Sequence, residues 1–234
     1  ATLNLGSGTS TLGVLTISTG TLIIAGTTKV NDTMNVTAGS VFVESGKTLT
    51  VNNAVKVDGG SLTFENNASL VQTSDDPSIV NTGNILYKRM TSILANNYDF
   101  VYWGSPVQEQ PLGAIWMAST WNDTFYNYDT TPIIPGWARS YATTAMIAGK
   151  GYISRARDGQ SGVDNQLFKV GQTWTATFSG VPNNGIIKVK DYCKAGKDCL
   201  LANPYPSAID ADAFLSVNST VLGGTLYFWT HNTA

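Results

Sequence analysis

An apolar doublet returns through the first third of the chain about every twenty residues, and this repeat limits the fold more than any other feature. Leu22 and Ile24, Val41 and Val43, and Leu62 and Phe64 each follow a glycine (Gly20, Gly39, Gly60), at offsets of nineteen and then twenty-one residues. A second set follows within each repeat (Thr28 and Val30, Leu49 and Val51, then Leu70). A third comes after it (Leu15 and Ile17, Met34 and Val36, Val55 and Val57). Apolar residues alternating with Thr, Ser, Asn or Lys mark strands with one buried face. A fixed period near twenty marks units that bury their apolar edges only by stacking on their neighbours. Residues 1–72 therefore read as a parallel β-solenoid with three strands per coil.

The turns support the same register. Asn31 falls one period before Asn52, Asp32 before Asn53 and Gly46 before Asn67, all residues that suit tight turns. The two extra residues of the later coils fit the first turn, where the stretch Ile24 to Thr28 becomes Val43 to Leu49. Leu3 and Leu5 project onto Leu22 and Ile24, so the chain starts inside a coil. With no initiator Met, no apolar leader and no cap ahead of Leu3, it reads as an excerpt flanked by further domains of its parent chain. The strand expected around Leu226, Phe228 and His231 points the same way at the other end.

Composition shifts near residue 73. All six Trp and all ten Tyr lie after residue 86. This suggests two domains, 1–72 and 85–234, joined by a turn-rich segment over 73–84. Charged residues make up only 13% of the chain and the net charge is -2, which offers no basic face to nucleic acid. No run reaches the roughly eighteen apolar residues that would read as a membrane-spanning segment. The second part reads as strands: Ile85–Met90, Tyr98–Trp103, Phe125–Tyr128, Gly151–Arg155, Thr173–Ser179, Gly185–Val189 and Thr225–Thr230. One helical turn is expected over Asp210–Leu215, capped by Ser207 with Asp210 three residues on. The fold class is all-β, a solenoid followed by an antiparallel sandwich or jelly-roll-like domain.

Cys193 and Cys199 flank a five-residue loop containing Gly196 and read as a disulfide, which would stabilise by about 2 kcal/mol in the chain-entropy model. Two reduced buried thiols are the alternative. Zinc would need two further ligands, with His231 the only imidazole. A bridge implies an exported, extracellular protein.

The strings Tyr98–Val107 (YDFVYWGSPV), Gly149–Ile153 (GKGYI), Phe178–Gly185 (FSGVPNNG), Asn203–Asp210 (NPYPSAID) and Gly224–Trp229 (GTLYFW) occur in that order. Together they resemble a module of large secreted and cell-surface proteins that gliding bacteria of the Bacteroidetes type export by the type IX secretion system. The solenoid resembles Thr-rich adhesin stalks. The resemblance implies export and surface display, with the type IX machinery as a partner, and no known reaction. Within it, Pro204 and Pro206 hold Asn203–Ser207 as a stiff connector.

Candidate sites are few. Glu44 and Glu65 lie one period apart and would stack about 5 Å from each other, a spacing at which paired acids can raise a carboxyl pKa; a solvated edge is the plainer meaning. Asp158, Asp164 and Asn165 sit in a Gly-containing loop that could offer oxygens to calcium, without EF-hand spacing. Trp116, Trp121, Tyr126 and Trp137 could stack on sugars or fill a core. His231 could serve a Ser-His-Asp site only from the last few residues of the chain. No catalytic or cofactor residue is assigned. The reading is a non-catalytic structural or adhesive segment of a larger secreted protein, a cargo of type IX export; the alternative is an exported polysaccharide-active or glycan-binding module.

Overall fold

Successive coils lie in the register that the repeat predicts. The computed structural model describes residues 1–95, 99–116, 125–155, 171–189 and 193–228. The first coil holds β1 (Thr2–Leu5), β2 (Thr9–Leu12) and β3 (Leu15–Ile17), and the second β4 (Thr21–Ile24), β5 (Thr27–Val30) and β6 (Met34–Val36). The third holds β7 (Ser40–Val43), β8 (Thr48–Val51) and β9 (Val55–Val57), and the fourth β10 (Ser61–Phe64) and β11 (Ser69–Gln72). All pair in parallel, with Leu3 on Leu22, Leu22 on Val41 and Val41 on Leu62. The added turn residues lie where expected, since Ile24 aligns with Val43 and Thr28 with Leu49. Gly46 and Asn67, one period apart, both have left-handed backbones, at φ 73° and 64°.

The doublets share one interior. Ile24, Val43, Phe64, Val30, Leu49, Val51, Met34, Val36 and Val55 are fully buried. The glycine before each first-side strand is required by close approach: a Cβ on Gly39 would come within 2.4 Å of the Gly20 carbonyl oxygen, and one on Gly60 within 2.6 Å of that of Gly39.

Short polar side chains, mostly amides and hydroxyls, bond from coil to coil on the outside. Asn53 Nδ2 donates to Asp32 Oδ1 (2.6 Å), Thr73 Oγ1 to Asn52 Oδ1 (2.7 Å) and Ser61 Oγ to Ser40 Oγ (3.0 Å). In a parallel stack every outward residue faces its counterpart about 4.8 Å away. Like charges in such columns would repel, whereas amides and hydroxyls can pair. This accounts for the low charge of the solenoid.

The sheet does not stop where the composition changes. Strand β12 (Ile85–Met90) adds in parallel to β10, with Ile85 on Leu62 and Tyr87 on Phe64. The remaining strands are β13 (Phe100–Trp103), β14 (Phe125–Asp129), β15 (Gly136–Ser140), β16 (Tyr152–Arg155) and β17 (Thr175–Gly180). β17 pairs antiparallel with β12, completing a six-stranded sheet in the order β1-β4-β7-β10-β12-β17. The others form a separate antiparallel sheet, β13-β16-β14-β15. Trp103 on its inner side lies 6.0 Å from Phe178 of β17 and 5.7 Å from Trp116, between ring centroids. The chain is therefore all-β, a three-sided solenoid followed by an antiparallel β domain whose core packs on the strand that extends the solenoid sheet.

Three expectations need correction. Residues 185–189 form no strand; the Gly185 carbonyl accepts from the Tyr205 hydroxyl (2.7 Å), and Ile186 faces solvent. Residues 225–228 are likewise outside any strand, and 229–230 fall outside the described residues. The helix α1 (Ala211–Val217) is capped by Asp210, whose carboxylate accepts from the Ala213 N–H, because the chain from Ser207 is still irregular. Strand β15 was not expected at all.

Two outcomes test this architecture. Deleting Ser40–Gly60, one whole coil by the 21-residue Ser40 to Ser61 register, should leave a folded protein by far-UV circular dichroism; deleting Ser40–Leu49, about half a coil, should not fold. Thr28 Oγ1 is buried with no partner, so Thr28→Val should raise the thermal melting point, by about 1 kcal/mol of stability.

Candidate functional site

Glu44 and Glu65 each follow the last residue of a first-side strand, and their main-chain N–H groups bond to Ile24 and Val43 (both 3.0 Å). The same column continues into β12, where Lys88 follows Tyr87, the residue aligned with Phe64. Its Nζ lies 2.7 Å from Glu65 Oε1. Glu65 is thus paired with a cation from the next strand of the column. Glu44 is exposed.

Arg89, on the other face of β12, closes the turn beneath it. Its guanidinium donates to the carbonyls of Ala68 (2.7 Å) and Lys88 (2.8 Å) and lies 3.8 Å from the Tyr87 ring centroid. Burial lowers its pKa to about 10.

The candidate sugar-stacking rings separate. Trp116 is buried, with Nε1 donating to Ser154 Oγ (2.6 Å) and its ring 5.6 Å from Trp174, so it belongs to the core. Tyr126 is half-buried against the edge of Phe100, at 6.0 Å. Trp137 faces outward, 47% exposed, with Tyr128 at 5.3 Å and Tyr102 at 6.4 Å, both edge-on. Desolvation raises the pKa of the Tyr102 hydroxyl. Trp121 lies outside the described residues.

The calcium candidates Asp158, Asp164 and Asn165, and also His231, lie outside the described residues. Among the described residues no group of three or more His, Cys, Asp or Glu could hold a metal. Cys193 and Cys199 are joined, with Cα atoms 5.4 Å apart. Their loop rests on the β14–β15 hairpin: the Lys194 N–H donates to Thr130 Oγ1 (3.2 Å) and Lys197 Nζ to the Ile133 carbonyl (3.4 Å).

A cleft of about 160 Å³ lies between β11 and the proline connector, lined by Gln72, Asp75, Asn184, Tyr205 and Pro206 among others. Most of its polar side chains are already engaged. Gln72 exchanges two bonds with Asn81, Asn184 Nδ2 donates to Ser74, and the Tyr205 hydroxyl to Gly185. Burial raises the pKa of that hydroxyl. The connector also places the Pro206 carbonyl on the Leu70 N–H (2.7 Å). The cleft is a joint between solenoid and β domain.

One surface feature escaped the sequence reading. At the tip of the β14–β15 hairpin Ile133 is 94% and Ile134 82% exposed. The string Pro132-Ile-Ile-Pro135 was its signal, two aliphatics held between prolines where a turn would normally be polar.

The family described as a domain of unknown function (DUF8693) matches residues 9–234, and the chain belongs to that family. No curated protein and no solved structure matches it significantly.

Core and surface rings should respond differently to truncation. Trp116→Ala should cost about 3–5 kcal/mol in denaturant unfolding, whereas Trp137→Ala should cost well under half of that.

Proposed function

We propose that this member of the family is a non-catalytic structural and adhesive segment of a larger secreted surface protein. The observation that supports it most is the six-stranded sheet running from β1 through the solenoid into β12 and β17. A shared sheet transmits position and load through main-chain bonds, which suits a stiff spacer carrying a displayed domain. The disulfide fits an oxidising, extracellular setting, and no helix among the described residues is long and apolar enough to cross a membrane. Type IX export is the route that the ordered motifs of the second part suggest.

A glycan-binding role is the second reading, and the outward Trp137 flanked by Tyr102 and Tyr128 favours it. It would place recognition on the β domain and leave the solenoid as a stalk.

Calorimetry should give one cooperative transition for both parts, since unfolding either one strips partners from β12; two well-separated transitions would contradict a rigid spacer. Proteolysis of intact cells should release the segment from wild-type cells and not from a strain lacking type IX export. Retention of the segment inside wild-type cells would overturn the surface assignment.

A further inference from the structure

We propose that the β14–β15 hairpin tip is a lipid-surface anchor, taking the head-group and upper acyl region of an anionic membrane. Ile133 and Ile134 form the apex and are 94% and 82% exposed. A tip this apolar is unusual for a hairpin turn, where polar residues and glycine dominate. Behind the apex lie the rings of Trp137, Tyr128 and Tyr102, and beside it the exposed Lys194 and Lys197 of the disulfide loop.

That order matches the layers of a membrane surface: aliphatic groups for hydrocarbon, Trp and Tyr for the interface, ammonium groups for lipid phosphates. The three residues from Ile134 to Trp137 span at most about 10 Å, within reach of the roughly 5–10 Å to which interfacial segments sink. The charge is complementary. Among the described residues, Asp198 offsets one loop lysine and Asp129 lies beside Lys150 and Thr131, which leaves one net positive charge on this shoulder of a chain of net charge -2.

The tip is also held ready. Pro132 and Pro135 fix their own φ angles, and Asp129 Oδ1 accepts from both the N–H (2.9 Å) and the hydroxyl (2.8 Å) of Thr131. Little order remains to be lost on insertion. A sugar platform fits less well, because the most exposed side chains are isoleucines with no flat face to stack.

This gives the adhesive reading a partner and rests on it for its setting alone. A chain that binds vesicles yet stays inside cells would sink the surface assignment and leave the tip chemistry standing.

The purified chain is mixed with phosphatidylcholine vesicles, with and without phosphatidylglycerol, and bound protein is read by flotation. Binding is expected to the anionic vesicles, to weaken with salt, and to fall at least about tenfold in Ile133→Ser/Ile134→Ser with the melting point unchanged. Should the double variant fold poorly, Ile133→Ser alone carries the test. Lys194→Gln/Lys197→Gln should weaken binding and flatten its salt dependence. No binding to either vesicle, or binding indifferent to the isoleucines, overturns the proposal. So does vesicle-free dimerisation that the isoleucine changes abolish, or glycan binding lost in Trp137→Ala without any vesicle binding.

Discussion

A solenoid must dispose of the main-chain groups on the edge of its last coil, and the rest of this structure follows from how that is done. Each unpaired N–H or C=O on an exposed strand invites another strand, and an unpaired one that is buried costs free energy. The fourth coil meets this on its three sides in three ways. On the first, β12 continues the ladder and antiparallel β17 follows it. On the second, the proline connector sets the Pro206 carbonyl against the Leu70 N–H. On the third no strand exists: the Asn81 carboxamide accepts from the Val55 N–H (2.8 Å) and Thr82 bridges to Lys56.

These closures are linked through polar side chains. Asn81 Nδ2 donates to Gln72 Oε1 (2.8 Å) and to the Pro182 carbonyl (3.0 Å), tying the joining segment to the residues after β17. Buried Asn183 donates to the carbonyls of Ser105 and Pro204, which holds the connector in place. The β domain is thus the cap of the solenoid, and joint and cap share the same residues.

The sequence exposed what depends on local repetition and hid what depends on the cap. Doublets, corner glycines and turn residues recur every coil, so their register could be counted. Lys88 beside Glu65 could not be foreseen, because the composition break near residue 73 concealed that β12 continues the same column. Strand β15, Gly-Trp-Ala-Arg-Ser, lacks the β-branched alternation that marks a strand and exists through its pairing with β14. Residues 185–189 carry that alternation without a partner strand, and the connector claims the Gly185 carbonyl. Trp116 and Trp137 are equal candidates from sequence; the Ser154 hydroxyl and the Trp103 and Trp174 rings set Trp116 inside.

The two halves use polar groups in opposite ways, and this bears on where recognition can reside. Along the solenoid, outward hydroxyls and amides such as those of Asn53, Thr73 and Ser61 bond to the neighbouring coil. A partner would have to compete with bonds such as Asn53 to Asp32 before gaining any of its own. At the hairpin end of the β domain the prominent groups are two isoleucines, an outward tryptophan and lysines on a short cross-linked loop. On the proposed reading, contact there would displace water from apolar surface without breaking a ladder, leaving the repetitive part as the spacer.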